Sequence, residues 1–191
     1  MVFIINRICK DTFKLEEAII MKENYIVLDI ETTGLNPWYD DVVTCICVKG
    51  SKSGHDYHAV SKDEKSLLFD FFEWFKCNYI KDTLLITKNG KAFDIPFLLT
   101  RLFLNNALRW EEDLAILKFE HFDLHEVTSK WVRLSDMATL YGVENKSGSG
   151  LQAIKLFKDN KLEELKDYCW QDVIVTEQVY KRYIAFHKTR I

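Results

Sequence analysis

Residues 25–35 read Tyr-Ile-Val-Leu-Asp-Ile-Glu-Thr-Thr-Gly-Leu, and this stretch decides the fold. Its apolar first half predicts a strand that has Asp29 and Glu31 at its end. Because side chains in a strand alternate with a period of two, both carboxylates are expected on the same face. Paired carboxylates supply the oxygen ligands that Mg²⁺ or Mn²⁺ prefers, although a solvated strand end before a turn is the alternative.

Beyond this stretch, the hydrophobic spacing predicts further strands and helices. The predicted strands cover residues 42–48, 55–60, 83–87 and 121–127, and the predicted helices cover 66–79, 95–104, 151–157 and 162–186. Three strands in succession, followed by alternating strand and helix, favour a mixed α/β sheet flanked by helices. Residues 1–20 fit this pattern less clearly and are expected to be an extension or an added edge element, so residues 21–191 form the predicted domain.

The composition is that of one globular domain. The chain has 191 residues, of which 48% are hydrophobic, so it can bury a substantial core. A net charge of −3 argues against the broad basic surface of a tight duplex binder, although metal bound to carboxylates would neutralise part of this charge. No stretch has the roughly 20 apolar residues of a membrane span, and the first residues make a poor signal peptide. An intracellular, for example cytoplasmic, protein without membrane attachment is expected.

The five cysteines are odd in number and lack a secretory context, so a disulfide framework is not expected. Cys45 and Cys47 lie on one face of a predicted strand. No second cysteine or histidine pair has the spacing of a zinc site, so no zinc site is expected. The cysteines are therefore predicted to be reduced core residues.

Asp94 stands between a predicted strand and the helix that follows it, in the segment Asn-Gly-Lys-Ala-Phe-Asp-Ile-Pro at 89–96. One interpretation is a helix N-cap, with Pro96 tolerated in the first turn. The other is a metal ligand, because the end of a neighbouring strand is where another carboxylate would share a site with Asp29.

Tyr168 and Asp172 are four residues apart in a predicted helix, which stacks them on one face, one turn apart. Asp167 is one position off that face, and Glu163 and Glu164 belong to a charged, solvated surface. A half-buried aromatic is the alternative interpretation of Tyr168. Four carboxylates from three separate elements, each in a matching context, favour a joint role over coincidence.

Three motifs resemble those of DEDD-superfamily 3′→5′ exonucleases of the tyrosine type, as in the proofreading domains of family-B DNA polymerases and related stand-alone predicted nucleases. The motifs are Leu-Asp-Ile-Glu-Thr-Thr-Gly-Leu at 28–35, Asn-Gly-Lys-Ala-Phe-Asp-Ile-Pro-Phe-Leu at 89–98 and Tyr-Cys-Trp-Gln-Asp at 168–172. The resemblance spans most of the chain. It implies a ribonuclease H-like fold with a mixed sheet of five or six strands.

The resemblance also implies the chemistry. Asp29 would bridge two divalent cations, Mg²⁺ or Mn²⁺; Glu31 and Asp172 would complete the tighter site, and Asp94 would reach the second ion. Tyr168 would orient the attacking water. The implied reaction is two-metal hydrolysis of nucleic acid from single-stranded 3′ ends to nucleoside 5′-monophosphates, with DNA favoured over RNA.

The residues that the resemblance implies as substrate contacts surround the first two motifs. They are Thr32, Thr33 and Leu35, in a turn that would receive the 3′ end, and Asn89 and Phe93, which would contact the terminal nucleotides. Further candidate contacts, read from the residues themselves, are Trp38 as a stacking platform and Lys88, Lys91 and Lys146 as phosphate contacts, although loop lysines are commonly just solvated.

The Thr-Thr-Gly-Leu sequence of the first motif is also common among the histidine-type relatives, whereas the third motif carries tyrosine. His121 and His125 lie too early in the chain to take the place of that tyrosine. His121 and Asp123 are expected to be structural, with Asp123 in reserve as a ligand if Asp94 is only a cap. Two other functions remain open: a nucleic-acid-binding module, and a proofreading or processing subunit that is active only with a protein partner.

Overall fold

A mixed sheet of five strands occupies the centre of the part of the protein that a computed structural model describes, residues 22–78, 83–108, 120–128, 130–144 and 150–188. The strands are β1 (Tyr25–Thr32), β2 (Val43–Gly50), β3 (Tyr57–Val60), β4 (Leu84–Thr87) and β5 (Glu120–Asp123). Their order is β3-β2-β1-β4-β5. The first three form an antiparallel meander, whereas β4 runs parallel to β1 and β5 parallel to β4. The predicted mixed α/β fold is confirmed.

The helices of the described residues pack on the two faces of this sheet. They are α1 (Glu64–Asn78), α2 (Asp94–Leu104), α3 (Leu134–Leu140), α4 (Gly150–Lys158) and α5 (Leu162–Lys188). The bounds of α2, α4 and α5 agree with the sequence predictions to within two residues. Residues 1–20, which were predicted to be an extension or edge element, lie outside the described residues, as do Tyr79 and residues 147–149. Within the described ranges, no helix combines the length and apolarity of a membrane span.

The strand predicted over 121–127 is wrong beyond Asp123. The Leu124 amide still donates to the Thr87 carbonyl of β4, but the Glu126 amide turns back to the Asp123 carbonyl. The Asp123 carboxylate also accepts a hydrogen bond from the His125 amide at 2.8 Å. The Asp123 carboxylate therefore takes the hydrogen bond of an amide that would otherwise continue the pairing with β4, and β5 ends there.

Alternation along β1 divides the core into two clusters. Val27 faces the cluster that contains Leu165, Cys169 and Val173 of α5, whereas Leu28 belongs with α1 and α2 on the other face. The α5 residues recur every four positions and so form one buried stripe. Asp29, two residues after Val27, consequently lies on the α5 face of the sheet.

The cysteine prediction is correct in part. Cys45, Cys47 and Cys169 are free thiols buried on the α5 face of the sheet, as expected of reduced core residues. Cys77 is exposed near the end of α1, so the core prediction is wrong there. The difference arises because Cys77 lies off the apolar stripe of its helix. Cys9 lies outside the described residues.

A buried ion pair joins both helices of one face to the turn that follows β1. Arg101 donates to the Glu64 carboxylate at 2.6 and 2.9 Å, and the two side chains are 11% and 9% exposed. Glu64 also accepts from the Val43 amide at 2.7 Å. Arg101 donates further to the carbonyls of Pro37 and Tyr39, both at 3.1 Å. The pair thus fixes the segment that lies directly beyond the first motif.

We expect Arg101→Ala to lower the free energy of unfolding by about 3 kcal/mol, because it leaves the Glu64 carboxylate buried and unpaired. The matched control is Lys76→Ala, which removes a pair with Glu73 whose side chains are 44% and 65% exposed. That change should cost less than about 1 kcal/mol. Urea denaturation measures both, and equal losses in the two variants would contradict the bracing role of Arg101.

Candidate active site

Asp29 and Glu31 form the centre of the site at the end of β1. A carboxylate oxygen of each, together with the Cys169 sulfur, lies within 4.8 Å of the others. In the ladder, Asp29 is opposite Cys47 and Glu31 is opposite Cys45. The register shifts just after Glu31, so the strand ends where the second carboxylate stands. The predicted common face of the two carboxylates agrees with this placement.

Asp94 is brought to the same strand from the beginning of α2. Phe93 occupies the N-cap position and no side chain caps the helix by a hydrogen bond. Instead, Asp94 Oδ1 accepts a hydrogen bond from the Ile30 amide at 3.2 Å, and Asp94 is only 5% exposed. The structure therefore places Asp94 against the residue between the first two carboxylates, in place of the helix-cap alternative.

Tyr168 and Asp172 approach from α5, which lies across the same face of the sheet. Burial raises the pKa of the Tyr168 phenol well above its ordinary value, and the charges of Asp172, Glu31 and Asp29 raise it further. The phenol thus lies within electrostatic reach of all three carboxylates. Asp167, which was predicted to lie off this face, is exposed, and so are Glu163 and Glu164, which were predicted to belong to a solvated surface.

The four carboxylates share one electrostatic environment. Burial, followed by the charges of the other carboxylates, raises the pKa of Asp29 and of Glu31 well above the ordinary values. Burial raises the pKa of Asp94 to about 7 and that of Asp172 to about 6. The Lys88 ammonium group offsets part of this effect at Asp94. Crowded, partly desolvated carboxylates of this kind are stabilised by a bound cation.

The donor set fits a hard divalent cation. Asp29, Glu31, Asp94 and Asp172 offer carboxylate oxygens, the donors that Mg²⁺ and Mn²⁺ select. Asp29 and Glu31 belong to a group of three candidate ligands within 4.8 Å of one another, whereas Asp94 and Asp172 belong to no such group in the described part of the chain. The acidic residues can therefore bind metal.

Asp123 holds the loop before α2. Its carboxylate accepts hydrogen bonds from the amides of Asn89 at 2.7 Å, Lys91 at 2.9 Å and His125 at 2.8 Å. Asn89 adopts a positive φ of 66°, a conformation that asparagine tolerates well. With its oxygens engaged in this way, Asp123 shapes the loop, and Asp94 stays the candidate ligand.

His121 is likewise part of the scaffold. Its Nε2 atom lies 2.8 Å from the Thr87 hydroxyl of the neighbouring strand. Burial lowers the pKa of the imidazole to about 4, so the ring is neutral at physiological pH. A neutral histidine committed to Thr87 agrees with the structural role that the sequence predicted.

The side chains of the turn after β1 are engaged in forming the turn itself. The Thr32 hydroxyl donates to the Gly34 carbonyl at 2.6 Å, and the Thr33 hydroxyl accepts from the Val42 amide at 2.9 Å. The Asp41 carboxylate occupies the space that a Cβ on residue 34 would need, so a larger residue there would displace Asp41. Thr32 and Thr33 thus shape the turn, and their hydroxyls are committed to it.

Large apolar side chains are exposed on the same turn. Leu35 is 82% exposed, and Trp38 is 65% exposed. Trp131 is also 64% exposed, and the Lys88 ammonium lies 5.9 Å from the centre of its ring. Phe93 is only partly buried and packs against Phe97, with ring centres 5.5 Å apart. These side chains offer aromatic and apolar contact area beside the carboxylates.

The two described candidate lysines differ in their partners. Lys91 forms an ion pair with Glu126 at 2.6 Å, so its charge is already matched. Lys88 is half-buried, and burial lowers its pKa, partly offset by Asp123 and Asp94. Lys88 is therefore the better candidate for a phosphate contact, while Lys146 lies outside the described residues.

Sequence patterns missed one neighbour of the site. The Cys169 thiol lies 3.5 Å from Asp29 Oδ2 and 3.5 Å from the Asp29 carbonyl oxygen. Cys169 follows Tyr168 directly, and the sequence predicted it only as a reduced core cysteine. No spacing in the sequence links it to Cys45 and Cys47, because that association depends on the docking of α5 onto β2.

Comparisons with known proteins agree with this architecture. The chain matches the model of the RNase_H superfamily over residues 26–184. Among solved structures, it is similar to the family B DNA polymerase from the hyperthermophilic archaeon Pyrobaculum calidifontis, with a TM-score of 0.62 and 16% identity. That match covers 85% of this chain and 25% of the polymerase chain, so the chain spans about a quarter of the polymerase. No curated protein sequence matches.

Metal-free protein is expected to lose stability as the pH rises. The pKa values of about 7 for Asp94 and about 6 for Asp172 exceed the ordinary 3.8, so the folded state binds more protons than the unfolded chain. This contribution is fully present below 3.8 and is lost as the pH rises through 6 to 7. Each kcal/mol lost should lower the melting temperature by about 2–4 °C.

Thermal denaturation in EDTA between about pH 5 and pH 8 tests this linkage. Asp94→Asn should flatten the decline, because the amide does not titrate, whereas Asp167→Asn on the exposed side of α5 should retain it. Added Mg²⁺ should stabilise the protein more at the upper end of the range. A wild-type melting temperature that does not fall with pH would contradict the crowding of the carboxylates.

Proposed function

The chain belongs to the ribonuclease H superfamily, and from this premise we propose that it is a metal-dependent 3′→5′ exonuclease. Membership of the superfamily supports nuclease activity in general. The observation that carries the proposal is the meeting of Asp29 and Glu31 of β1, Asp94 of α2 and Asp172 of α5 around one strand end. Burial raises the pKa of each carboxylate, and the charges of the other carboxylates raise the pKa of Asp29 and Glu31 further, so a bound cation would stabilise the ionised set.

The direction of hydrolysis rests on the motifs and on the matched fold together. The segments at 28–35, 89–98 and 168–172 resemble those of proofreading exonuclease domains of the tyrosine type. The structural match is to a family B DNA polymerase, of which this chain covers 25%. The match supplies the fold on which these motifs lie, and the motifs carry the proposed removal of nucleotides from a 3′ end.

The proposed ligands are Asp29 as the shared residue, with Glu31 and Asp172 on one cation and Asp94 on the other. When bound, two divalent cations would supply a lower pKa for an attacking water and stabilisation of the leaving oxygen. No covalent nucleophile on the protein is required. Attack on the terminal phosphodiester would release nucleoside 5′-monophosphates.

Tyr168 is proposed as the residue that positions the attacking water. The raised pKa of the phenol keeps its hydroxyl protonated at physiological pH, so it can donate a hydrogen bond but cannot act as a base. The neighbouring Glu31 carboxylate can accept a hydrogen bond from the same water. The two side chains together would fix the orientation of the water, which favours attack by preorganisation.

The substrate is proposed to be a single-stranded 3′ end, with DNA favoured over RNA. Leu35 and Trp38 offer exposed apolar surface on the turn beyond β1, where a terminal base could stack. Phe93 and Asn89 approach from the loop before α2, and Lys88 offers the nearby positive charge. Base stacking of this kind does not depend on sequence, as a processing or proofreading enzyme requires.

We expect the protein to shorten 5′-labelled single-stranded DNA from its 3′ end when Mg²⁺ or Mn²⁺ is present and not in EDTA. Asp172→Asn should lower the rate by at least about 10³-fold, because it removes a proposed metal ligand. Asp167→Asn on the same helix is the matched control, since its side chain is exposed. A denaturing gel records the ladder, and an RNA of the same sequence measures the sugar preference.

Cleavage in the interior of the strand, or shortening from the 5′ end, would contradict the proposed direction. Equal loss in Asp167→Asn would show that the effect of Asp172 is not specific to the site. Binding of Mn²⁺ and of DNA without cleavage would favour a binding module or a subunit that needs a partner.

Tyr168→Phe is expected to lower kcat roughly 100-fold while leaving Mn²⁺ affinity unchanged, because it removes only the hydroxyl that orients the water. Asp172→Asn should lower both kcat and the affinity for Mn²⁺. Single-turnover kinetics and titration with Mn²⁺ separate the two effects. A loss of metal affinity in Tyr168→Phe would make the phenol a scaffold element and remove its proposed catalytic role.

A further inference from the structure

A cluster of three thiols lies directly behind the carboxylates. Sulfur atoms of Cys45, Cys47 and Cys169 lie within 4.8 Å of one another, although no sequence spacing relates the third to the first two. Cys45 and Cys47 share a face of β2 because they are two residues apart, and Cys169 reaches them from α5. All three residues are fully buried.

The distances are close to those of a thiolate metal site. Tetrahedral Zn²⁺ with Zn–S bonds of about 2.3 Å places its sulfur ligands about 3.8 Å apart. The Cys45 and Cys47 sulfurs are 3.9 Å apart. The third sulfur lies within 4.8 Å, so a shift of at most about 1 Å completes a three-sulfur face.

A candidate fourth donor lies next to one of the three sulfurs. Asp29 Oδ2 lies 3.5 Å from the Cys169 sulfur. One sulfur at about 2.3 Å and one oxygen at about 2.1 Å from a tetrahedral ion are about 3.6 Å apart. Asp29 is not within 4.8 Å of all three sulfurs, so its carboxylate must turn towards Cys45 and Cys47 to complete the set. Three cysteines with one carboxylate are ligands that thiol-seeking ions such as Zn²⁺ accept and that Mg²⁺ does not prefer.

We propose that Cys45, Cys47, Cys169 and Asp29 bind a thiol-seeking divalent cation of the Zn²⁺ class, and that this ion withdraws Asp29 from the Mg²⁺ site and so inhibits hydrolysis. The binding is independent of the proposed nuclease function, whereas the inhibition rests on it. Thiol protons are released to solvent as the thiolates bind.

Asp29 connects the two sites. Its carboxylate lies within 4.8 Å of both the Glu31 carboxylate and the Cys169 sulfur. An ion that enters at the partly exposed carboxylates therefore reaches the thiols by way of Asp29. A carboxylate turned towards the three sulfurs is no longer available as the shared ligand of the Mg²⁺ site.

Co²⁺ serves as the probe, because its sulfur-to-metal charge-transfer absorption reports thiolate ligation and is absent for oxygen ligands alone. The full chain, stripped of metal and kept reduced with a phosphine, should develop this band up to one equivalent of Co²⁺ and lose it on addition of Zn²⁺. Cys45→Ser and Cys169→Ser should abolish or strongly weaken the band. Asp29→Asn should keep sulfur ligation but lower Co²⁺ affinity roughly 10-fold or more.

The matched control is Cys77→Ser, which replaces an exposed cysteine outside the cluster. The double variant Cys9→Ser/Cys77→Ser leaves three of the five cysteines and should give the wild-type band. Circular dichroism checks that each variant is folded. A folded wild type without the band, or a band that survives in Cys169→Ser, would overturn the thiolate site.

The proposed inhibition of hydrolysis is tested by adding Zn²⁺ to the Mg²⁺-dependent DNA cleavage assay. Each variant is compared with itself without Zn²⁺, and Cys45→Ser should need at least roughly 10-fold more Zn²⁺ for half-inhibition than wild type. Equal sensitivity would place the inhibitory Zn²⁺ elsewhere and overturn the inhibition. A chain without nuclease activity would refute the nuclease proposal and this inhibition together, while the Co²⁺ spectrum would still decide whether the thiols bind metal.

Discussion

The period-two alternation of β1 is the constraint on which the rest of the site depends. It sends Leu28 and Ile30 into the core beneath α1 and α2, and it leaves Val27, Asp29 and Glu31 for the face beneath α5. A shift of one residue in register would exchange the two sets and bury both carboxylates among phenylalanines. The apolar residues of β1 thus fix the carboxylates more firmly than any contact the carboxylates make themselves.

The helices complete the site because each is anchored by apolar residues next to its acidic one. The stripe of Leu165, Cys169 and Val173 is fully buried and docks α5 on the sheet, which carries Asp172 to the edge of that stripe. Phe97 in α2 is equally buried and holds Asp94 against β1. The free energy of hydrophobic burial therefore offsets the cost of holding four partly buried carboxylates close together.

Much of this was predictable from short-range patterns. Alternation placed Asp29 with Glu31, and helical spacing placed Tyr168 with Asp172, because both relations depend only on local geometry. The choice between Asp94 and Asp123 was not decided locally, since Asp94 follows β4 and Asp123 ends the neighbouring parallel strand β5. It required knowing that Asp123 accepts three amide hydrogen bonds whereas Asp94 accepts one from β1. The thiol cluster was hidden for the same reason, because it forms only when α5 lies on β2.

Asp29 is consequently subject to two kinds of ion chemistry. Towards Glu31 it faces oxygen donors, which favour small, strongly hydrated cations, and towards Cys169 it faces sulfur, which favours polarisable ones. A site with carboxylates alone would discriminate poorly against Zn²⁺, since divalent transition metals bind such ligands more tightly than Mg²⁺ does. Because the thiols lie directly behind Asp29, Zn²⁺ and Mg²⁺ would compete for this one carboxylate. The relative concentrations of the two ions would then determine whether Asp29 binds with Glu31 or with the thiols.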